Sequence, residues 1–309
     1  MKIGITGAGG MLGRTLVDRF AESSGIEVVA LSRRPAMSAA TPNVRWLQGD
    51  LASSEDCNLF VAGLDVVFHC AHKNSPLTSD GEWARDAQLN LVPTLNLLSA
   101  IERSGRRMHV VYPSSGGAVY GASQGLRPFR ETDPCLPLNS YGIQKLAIEH
   151  YLRVFAQRDL LTVSVLRIGN AYGWLLPPDR TQGFIGTAIN RMLHGQPVRI
   201  IGDTHNVRDY VHIEDIATAV MSAAARREPF EVFNIGTGAG SSVADILAVL
   251  EQLTGRQPIT EIVQLPGADR LPPWCVLDIS EAERCLGWRP QVALADGLAR
   301  MLDTVPVDV

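Results

Sequence analysis

The sequence predicts an α/β protein: a doubly wound parallel sheet followed by a smaller α/β C-terminal lobe. Short apolar runs alternate with longer helical patterns over roughly the first 170 residues. The runs are nearly continuous in apolar residues, which is typical of parallel strands covered on both faces. A glycine-rich turn follows the first run, and the pattern changes after Gly173. Alternation of this kind favours a parallel sheet with helices on both of its faces.

The first lobe is predicted to contain six strands and four helices. The predicted strands are Lys2–Thr6, Glu27–Ser32, Val44–Gln48, Asp65–His69, Met108–Tyr112 and Thr162–Ile168. The predicted helices cover residues 11–23, 54–61, 83–104 and 140–157. Each helix falls between two strands, as a chain that winds along a parallel sheet requires.

After Gly173 the predicted elements are more varied. A helix is expected at 183–194, short strands near 198–201 and 232–235, and helices at 212–226, 242–254, 280–286 and 293–303. We therefore expect residues 173–309 to form a smaller substrate-binding lobe, with some segments returning to the first domain.

Composition limits the classes of function. The chain has 309 residues, of which 46% are apolar and 19% charged, so it has the composition of a globular protein. A net charge of −4 without a basic block argues against a nucleic-acid partner. No apolar run reaches the ~18 residues that cross a bilayer, so no membrane association is expected. The five cysteines form no CxxC pair, which favours reduced thiols and a cytoplasmic location.

The turn after the first strand, TGAGGMLG at residues 6–13, indicates a dinucleotide site. In a strand–turn–helix context, Gly7 permits a tight turn and Gly10 lets the backbone approach a pyrophosphate. Gly13 allows close packing of helix and sheet, and the helix N-terminus attracts phosphate charge. Residues 1–172 are therefore expected to form a Rossmann-type dinucleotide-binding domain.

The ends of the second and third strands bear on the choice of dinucleotide. An NAD site usually has a carboxylate after the second strand, whereas this chain has Ser32, Arg33 and Arg34. Two guanidinium groups without a carboxylate favour the 2′-phosphate of NADP, although an arginine stacked on adenine would also accept NAD. Asp50, after the third strand, either meets the adenine amino group or caps the next helix.

Tyr141 and Lys145 form a candidate acid/base pair at the start of the helix over 140–157. Residues four apart share a helix face, so the ammonium group is expected near the phenol. A nearby cation lowers the pKa of a phenol and makes it a usable proton acceptor and donor. The pair also follows a parallel strand, and ligands gather at the carboxyl ends of such strands.

Taken together, the motifs resemble those of the extended short-chain dehydrogenase/reductases, and within them the nucleotide-sugar epimerase/dehydratase branch. The motifs of the first lobe are TGAGGMLG, Gly49-Asp50-Leu51, His69-Cys70-Ala71, Ser114-Ser115 before Val119-Tyr120-Gly121, and Tyr141-Gly-Ile-Gln-Lys145. The motifs that resemble the nucleotide-sugar epimerase/dehydratase branch are Arg167-Ile-Gly-Asn170-Ala-Tyr-Gly, Gly202-Asp203, Arg208-Asp209-Tyr210-Val211-His212-Ile-Glu-Asp215, Asn234-Ile-Gly-Thr and Leu277-Asp278.

The resemblance implies roles for individual residues. Tyr141 would be the acid/base, and Lys145 would hold the nicotinamide ribose. Further cofactor contacts are implied for Gly7, Gly10, Met11, Leu12, Gly13, Ser32, Arg33, Asp50, Leu51, Ala71, His72, Asn90, Ser114 and Ile168. A nucleoside diphosphate would be bound by Asn170, Arg208 and Arg270, which agrees with the bidentate fit of arginine to phosphate.

Some alternatives stay open. Arg208 could instead pair with Asp209 or Asp215. Cys275 falls where sugar 4-epimerases carry a residue that limits the pocket beside C2, but it could be an ordinary buried cysteine. The resemblance also implies a homodimer formed through the helices near 83–104 and 140–157.

One position departs from the family pattern. The family's Ser/Thr that binds the sugar oxygen lies three residues before the valine of the VYG run, where this chain has Gly116. We expect Ser115 to supply the hydroxyl. Dehydratases also need an Asp-Glu pair immediately afterwards, and Gly117-Ala118 at that place disfavours dehydration.

Two other site types are disfavoured by the sequence. His69 and His72 lie near a strand end without a following Cys/His cluster, so no metal site is expected. Pro113, not glycine, lies two residues before Ser115, so the GxSxG turn of hydrolases is absent.

Three functions remain to be compared. A nucleotide-sugar 4-epimerase, NAD(P)-dependent, matches the overall pattern and is placed first. An NADPH-dependent reductase of nucleotide-linked 4-keto-6-deoxyhexoses is the alternative, favoured by the two arginines and by Gly116. A non-catalytic dinucleotide sensor is disfavoured because the Tyr141/Lys145 pair is intact.

Overall fold

The computed structural model describes residues 1–34, 41–73, 75–76, 82–123, 125–177, 183–264 and 272–304. Its strands are β1 (Lys2–Thr6), β2 (Glu27–Ser32), β3 (Val44–Gln48), β4 (Val66–His69), β5 (Met108–Ser115), β6 (Leu161–Ile168), β7 (Asn170–Tyr172), β8 (Val198–Ile201), β9 (Val207–Arg208), β10 (Tyr210–His212), β11 (Phe230–Ile235), β12 (Ser241–Ser242), β13 (Thr260–Val263) and β14 (Trp274–Cys275). Its helices are α1 (Met11–Ala21), α2 (Ser54–Val61), α3 (Trp83–Arg103), α4 (Gly116–Val119), α5 (Ser140–Gln157), α6 (Phe184–Leu193), α7 (Ile213–Ala223), α8 (Val243–Thr254), α9 (Ser280–Leu286) and α10 (Leu294–Asp303).

A seven-stranded parallel sheet forms the centre of the molecule, in the order β11-β6-β5-β4-β1-β2-β3. The predicted Rossmann-type fold is confirmed, and the six predicted strands lie in it with ends shifted by at most three residues. β5 runs on to Ser115, and every residue of β6 is buried. Continuous burial explains why these strands lack an alternating polar pattern.

Helices cover the sheet on both faces. On one face, α1 and α7 pack against the strands through buried side chains that include Leu16, Phe20, Ile216 and Val220. On the other, α2, α3 and α5 contribute a second core that includes Phe60, Leu97, Ile101 and Leu152. Two of these elements, β11 and α7, come from beyond residue 172, so later segments complete the sheet and one of its covering layers. The boundary at 172 stays a prediction.

The remaining elements form the C-terminal part of the molecule. α6, α8 and α10 enclose a separate core that includes Ile189, Ile246, Leu250 and Leu298. Short strand pairs (β7 with β10, β8 with β13, and β9 between β12 and β14) join these helices to the central sheet. These connecting strands of two to four residues have too little pattern to be predicted individually, and among them β8 was the one expected. In the described part of the chain, no helix is long and apolar enough to span a membrane.

Candidate active site

The glycine-rich turn forms a cradle at the carboxyl edge of the sheet. Gly7 has a left-handed φ of +66°, and a Cβ atom there would lie 2.7 Å from the backbone nitrogen of Ala71. A Cβ atom on Gly13 would collide with the carbonyl oxygen of Gly7. The N-cap of α1 is Gly10, which provides no side-chain hydrogen bond to the first turn. The first N–H groups of α1, those of Met11, Leu12 and Gly13, therefore receive no side-chain cap and can donate to phosphate oxygens, and the cradle fits a dinucleotide.

The region expected to hold the adenosine lies at the ends of β2 and β3. Ser32 is buried and its hydroxyl accepts a hydrogen bond from the backbone N–H of Arg34 at 3.2 Å. Arg33 and Arg34 are exposed, and neither makes an ion pair with any residue that the structure describes. The exposed Asp50 accepts from the N–H of Ala52 at 3.0 Å. The interpretation of Asp50 as the cap of the next helix is wrong. The N-cap of α2 is Ser53, whose hydroxyl accepts from the backbone N–H of Asp56.

The loop after β4 is anchored by buried polar groups. The hydroxyl of Thr6 accepts from the N–H of Ala71 at 3.2 Å, and Asn90 Oδ1 accepts from the N–H of Lys73 at 2.7 Å. His69 hydrogen-bonds Thr6 and Thr94 through its two ring nitrogens. Asn90 therefore supports this loop from within α3, and a direct cofactor contact by it stays a prediction. Among the described residues no group of three or more His, Cys, Asp or Glu side chains is placed to bind a metal.

Tyr141, Lys145 and Ser115 converge at the carboxyl ends of β5 and β6. The α5 helix begins after Asn139, whose side chain accepts from the N–H of Gly142 at 2.9 Å and so fixes the first turn. Lys145 Nζ donates to the carbonyl of Pro113 at 2.8 Å and lies 5.7 Å from the centre of the Tyr141 ring. The Ser115 side chain hydrogen-bonds the Tyr141 phenol. The three predicted catalytic residues thus lie together.

The protonation states differ from the prediction. Burial raises the pKa of Tyr141 to about 12, opposed by the hydrogen bond from Ser115. Burial also lowers the pKa of Lys145 to about 8, opposed by Cys70 and Glu149. The expected lowering of the phenol pKa by Lys145 is wrong for the protein alone, because desolvation outweighs a cation whose Nζ is bonded to Pro113. At neutral pH the pair is a phenol and an ammonium.

A buried ionic network supports the end of β5. The hydroxyl of Ser114 donates to Glu149 at 2.5 Å, and Glu149 forms an ion pair with Arg167 at 2.8 Å. Arg167 also donates to the phenol oxygen of Tyr120, which donates to Asn234. Because both charges are buried, each needs the other, and removing one would leave an uncompensated charge. The network holds Ser114 to α5, one turn beyond Lys145.

The structure explains the glycine at position 116. A Cβ atom there would lie 2.7 Å from Leu277 Cδ1 and 3.1 Å from the carbonyl oxygen of Arg167. A serine or threonine at 116 would therefore point into packed side chains and backbone. Ser115 is the hydroxyl that reaches Tyr141.

Arg208 lies in β9, half-buried and without a carboxylate partner among the described residues. Its Nη1 donates to the carbonyl of Val207 at 2.8 Å, and burial lowers the pKa of its guanidinium. The carboxylate of Asp209 is occupied by the N–H groups of Thr237, Gly238 and Leu277. That of Asp215 accepts from the N–H groups of Gln291 and Val292. The alternative ion pairs of Arg208 are thus excluded.

The other residues predicted to bind the substrate differ in their relation to the cavity. Asn170 begins β7 and lines the same cavity as Arg208. Cys275 pairs in register with Arg208, is buried, and donates to the carbonyl of Gly116 at 3.6 Å, but is not among the residues that line the cavity. Burial raises the pKa of its thiol to about 11. Arg270 lies outside the described residues.

One cavity of about 700 Å³ joins these parts. Its wall runs from the glycine cradle past Tyr141 and Lys145 to Asn170 and Arg208, and includes Met11, Leu12, His72, Ser114, Ser115 and Ile168. Ser32, Arg33, Asp50, Leu51, Ala71 and Asn90 lie outside this wall. Two arginines, Arg191 and Arg199, also line the cavity and were missed. The sequence signal available for Arg191 was its position on the otherwise apolar face of the helical pattern of α6.

Comparison with known proteins places the chain among enzymes. A model of the NAD dependent epimerase/dehydratase family matches residues 3–236. The chain is 30% identical over 312 residues to the UDP-glucose 4-epimerase of Mycolicibacterium smegmatis, with 98% of each chain covered. It is 29% identical to the dTDP-4-dehydro-6-deoxyglucose reductase of Escherichia coli, covering 97% of this chain and 96% of that protein. The Thermus thermophilus UDP-glucose 4-epimerase, solved in complex with NAD, superposes with a TM-score of 0.87 at 30% identity and 98% coverage of each chain.

Proposed function

The chain belongs to the NAD-dependent epimerase/dehydratase family, and from that premise we propose that it is a nucleotide-sugar C4 epimerase that uses NAD(P). The observation that carries the proposal is the single cavity. It connects a cradle suited to a dinucleotide, the Tyr141/Lys145/Ser115 group, and a half-buried Arg208 without a carboxylate partner among the described residues. A nucleotide sugar needs a cation to bind its diphosphate and a reactive site to receive its sugar, and the cavity offers both.

In the proposed reaction, the phenolate form of Tyr141 would take the proton of the C4 hydroxyl, while the hydrogen on C4 would leave as a hydride to the cofactor. The positive charges of the oxidised nicotinamide and of Lys145 would favour that phenolate over the phenol of the protein alone. The bound nicotinamide ring supplies the hydride acceptor and later the hydride donor. Ser115 orients the Tyr141 phenol and stabilises its anion by a hydrogen bond. The resulting 4-keto sugar turns in the cavity, while Arg208 and Asn170 hold the diphosphate. Hydride return to the other face, with proton return from Tyr141, gives the C4 epimer.

A 4-keto-sugar reductase is a second candidate that specific observations favour. Burial raises the pKa of Tyr141 to about 12, which makes the phenolate harder to form and suits a residue that begins by donating a proton. Arg33 and Arg34 are exposed and make no ion pair among the described residues, which favours the 2′-phosphate of NADPH. The similarity to the Escherichia coli reductase supports the same alternative.

The decisive experiment identifies the nucleotide that the purified protein carries. The protein is denatured, and the released nucleotide is identified by mass spectrometry and quantified against protein. Near-stoichiometric NAD, with interconversion of UDP-glucose and UDP-galactose, is the result expected of an epimerase, whose reaction regenerates its cofactor. An empty protein that consumes NADPH with a dTDP-linked 4-keto-6-deoxyhexose would overturn the epimerase in favour of the reductase. Tyr141→Phe is the control, since it removes the proton carrier in either reaction.

A homodimer is part of the proposal. Large apolar side chains are exposed on the outer faces of α3 and α5, namely Trp83, Val92, Ile143, Tyr151 and Val154. Exposed apolar residues on two adjacent helices suit a self-complementary interface. Light scattering after size-exclusion chromatography measures the mass, and a value of one chain, 33.5 kDa, would contradict the dimer.

A cytoplasmic location is also part of the proposal. All five cysteines are free thiols, which supports a reducing compartment.

A further inference from the structure

His72 carries a buried polar atom that the chain leaves unsatisfied. Its Nε2 is shielded from solvent and has no hydrogen-bond partner among the residues that the structure describes. Buried polar atoms in folded proteins are nearly always hydrogen-bonded, and one that is not calls for an explanation. The imidazole packs edge-on against the ring of Tyr141, with 5.0 Å between ring centres and 88° between planes. The unsatisfied atom thus belongs to a ring in contact with the acid/base residue.

The backbone on both sides of His72 is held in place. Ala71 donates to the hydroxyl of Thr6, and Lys73 donates to Asn90 Oδ1. Asn90 is itself buried and donates to Gln144 on α5, the helix that carries Tyr141. The position of His72 relative to Tyr141 is therefore set by a chain of hydrogen bonds between the two elements.

The charge of His72 limits what it can bind. Burial lowers the pKa of the imidazole well below its usual value, and Lys145 and His69 lower it further. A neutral imidazole presents one N–H donor and one nitrogen acceptor. A hydroxyl group can serve either of them, whereas a carboxylate or phosphate would find a cation more favourable. The ligand chemistry that fits is a neutral oxygen.

We infer that His72 is a specificity-determining residue whose Nε2 hydrogen-bonds a hydroxyl of the bound hexose next to the carbon that reacts. Tyr141 must reach the oxygen on the reacting carbon, and a ring in contact with Tyr141 is within reach of the neighbouring oxygen. His72 also lines the cavity that contains Tyr141 and Ser115. This inference rests on the proposed nucleotide-sugar function, and it replaces the predicted cofactor contact of His72 with a sugar contact.

The test separates the sugar from the nucleotide. Dissociation constants of UDP and of UDP-glucose are measured by calorimetry on the cofactor-loaded protein, for wild type, His72→Ala and His72→Gln. We expect His72→Ala to weaken UDP-glucose about tenfold and to leave UDP unchanged, since one buried hydrogen bond is lost. His72→Gln places an amide near the position of Nε2 and is expected to restore most of the difference. His150→Ala, which removes an exposed histidine of α5, is the matched control.

Several outcomes would overturn the inference. Equal weakening of UDP and UDP-glucose would mean that His72 supports the fold or the nucleotide. A loss of NADH affinity with an unchanged UDP-glucose-to-UDP ratio would assign His72 to the cofactor. A lower melting temperature of His72→Ala without any change in that ratio would mean a structural role. If wild type bound neither UDP nor dTDP derivatives, the proposed function itself would fail, and the inference with it.

Discussion

The two ends of the cavity are built in different ways. One end, which is proposed to bind the dinucleotide and is called the dinucleotide end below, is the continuous segment 7–13. Its backbone forms the cradle between β1 and α1. The phosphate end, which is proposed to bind the diphosphate of the substrate, is assembled from Asn170 and Arg208 on two short strands. The N–H of Asn170 donates to the backbone carbonyl of Asp209, next to Arg208, at 2.6 Å. The buried carboxylate of Asp209 then joins this region to later segments of the chain. That carboxylate accepts from residues 237, 238 and 277. The first end depends on local backbone geometry, and the second on contacts between distant segments.

The largest expected effect is at the junction of the two ends. Tyr141→Phe removes the proton carrier, so we expect turnover to fall about 10³-fold. Ligand binding at either end should change little, because the phenol hydroxyl is the only group removed. Activity and the affinities for NAD(P)H and UDP are measured in parallel. Turnover within tenfold of wild type would mean that another group carries the proton.

Arg208→Met tests the phosphate end by itself. We expect the affinity for UDP to fall about 10- to 100-fold, because a charge-assisted contact is lost at a place where no carboxylate of the described residues competes. The affinity for NAD(P)H should stay the same. Arg199→Met is the matched control, since Arg199 lines the same cavity but is exposed and lies 3.8 Å from Glu261. Equal effects of the two substitutions would contradict the role of Arg208.

The pH dependence of the rate tests Lys145, which lies beside Tyr141 where the two ends of the cavity meet. Burial lowers the pKa of Lys145 to about 8, so its ammonium is present below that pH and is lost as the pH rises through it. If the ammonium is required, the rate of hydride transfer should fall about tenfold between pH 7 and pH 9. Lys145→Arg retains the charge over this range and should remove the decline. A wild-type profile that is flat up to pH 9 would show that Lys145 stays charged or is not needed.

The smallest expected effect is at the adenosine. The double substitution Arg33→Ala/Arg34→Ala should lower the preference for NADPH over NADH about fivefold, because exposed ion pairs contribute little. The ratio of kcat/KM values with the two cofactors measures it. An unchanged ratio would mean that the arginines are solvated surface charges. Binding of UDP should not respond, which separates this end from the phosphate end.

Tyr141 and Ser115 were predicted to lie in one site, and they meet in the structure. Local sequence signals were enough here, because Ser115 ends an apolar strand and Tyr141 lies in the first turn of a helix capped by Asn139. The sign of the pKa change of Tyr141 was predicted wrongly. The spacing of tyrosine and lysine shows that they share a helix face, but it does not show that Lys145 turns to the carbonyl of Pro113 or how deeply the phenol is buried.

Gly116 illustrates the same limit. The sequence shows a missing hydroxyl at that position, and only the packing shows why. Leu277, more than 150 residues later in the chain, occupies the space that a side chain at 116 would need. Arg199 was missed for a related reason: a single arginine in a four-residue strand has no pattern that reveals which surface it faces.

By itself, the sequence determined the parallel sheet, the glycine cradle and the placement of Tyr141 and Lys145 on one helix. Apolar periodicity, turn glycines and the spacing of residues on one helix act over a few residues and can be recognised without the rest of the chain. Only the tertiary structure decided that Arg208 has no carboxylate partner among the described residues, that Tyr141 is buried as a phenol, and that His72 lies against it. Those properties depend on desolvation and on partners far away in the sequence, and both arise only when the chain has folded.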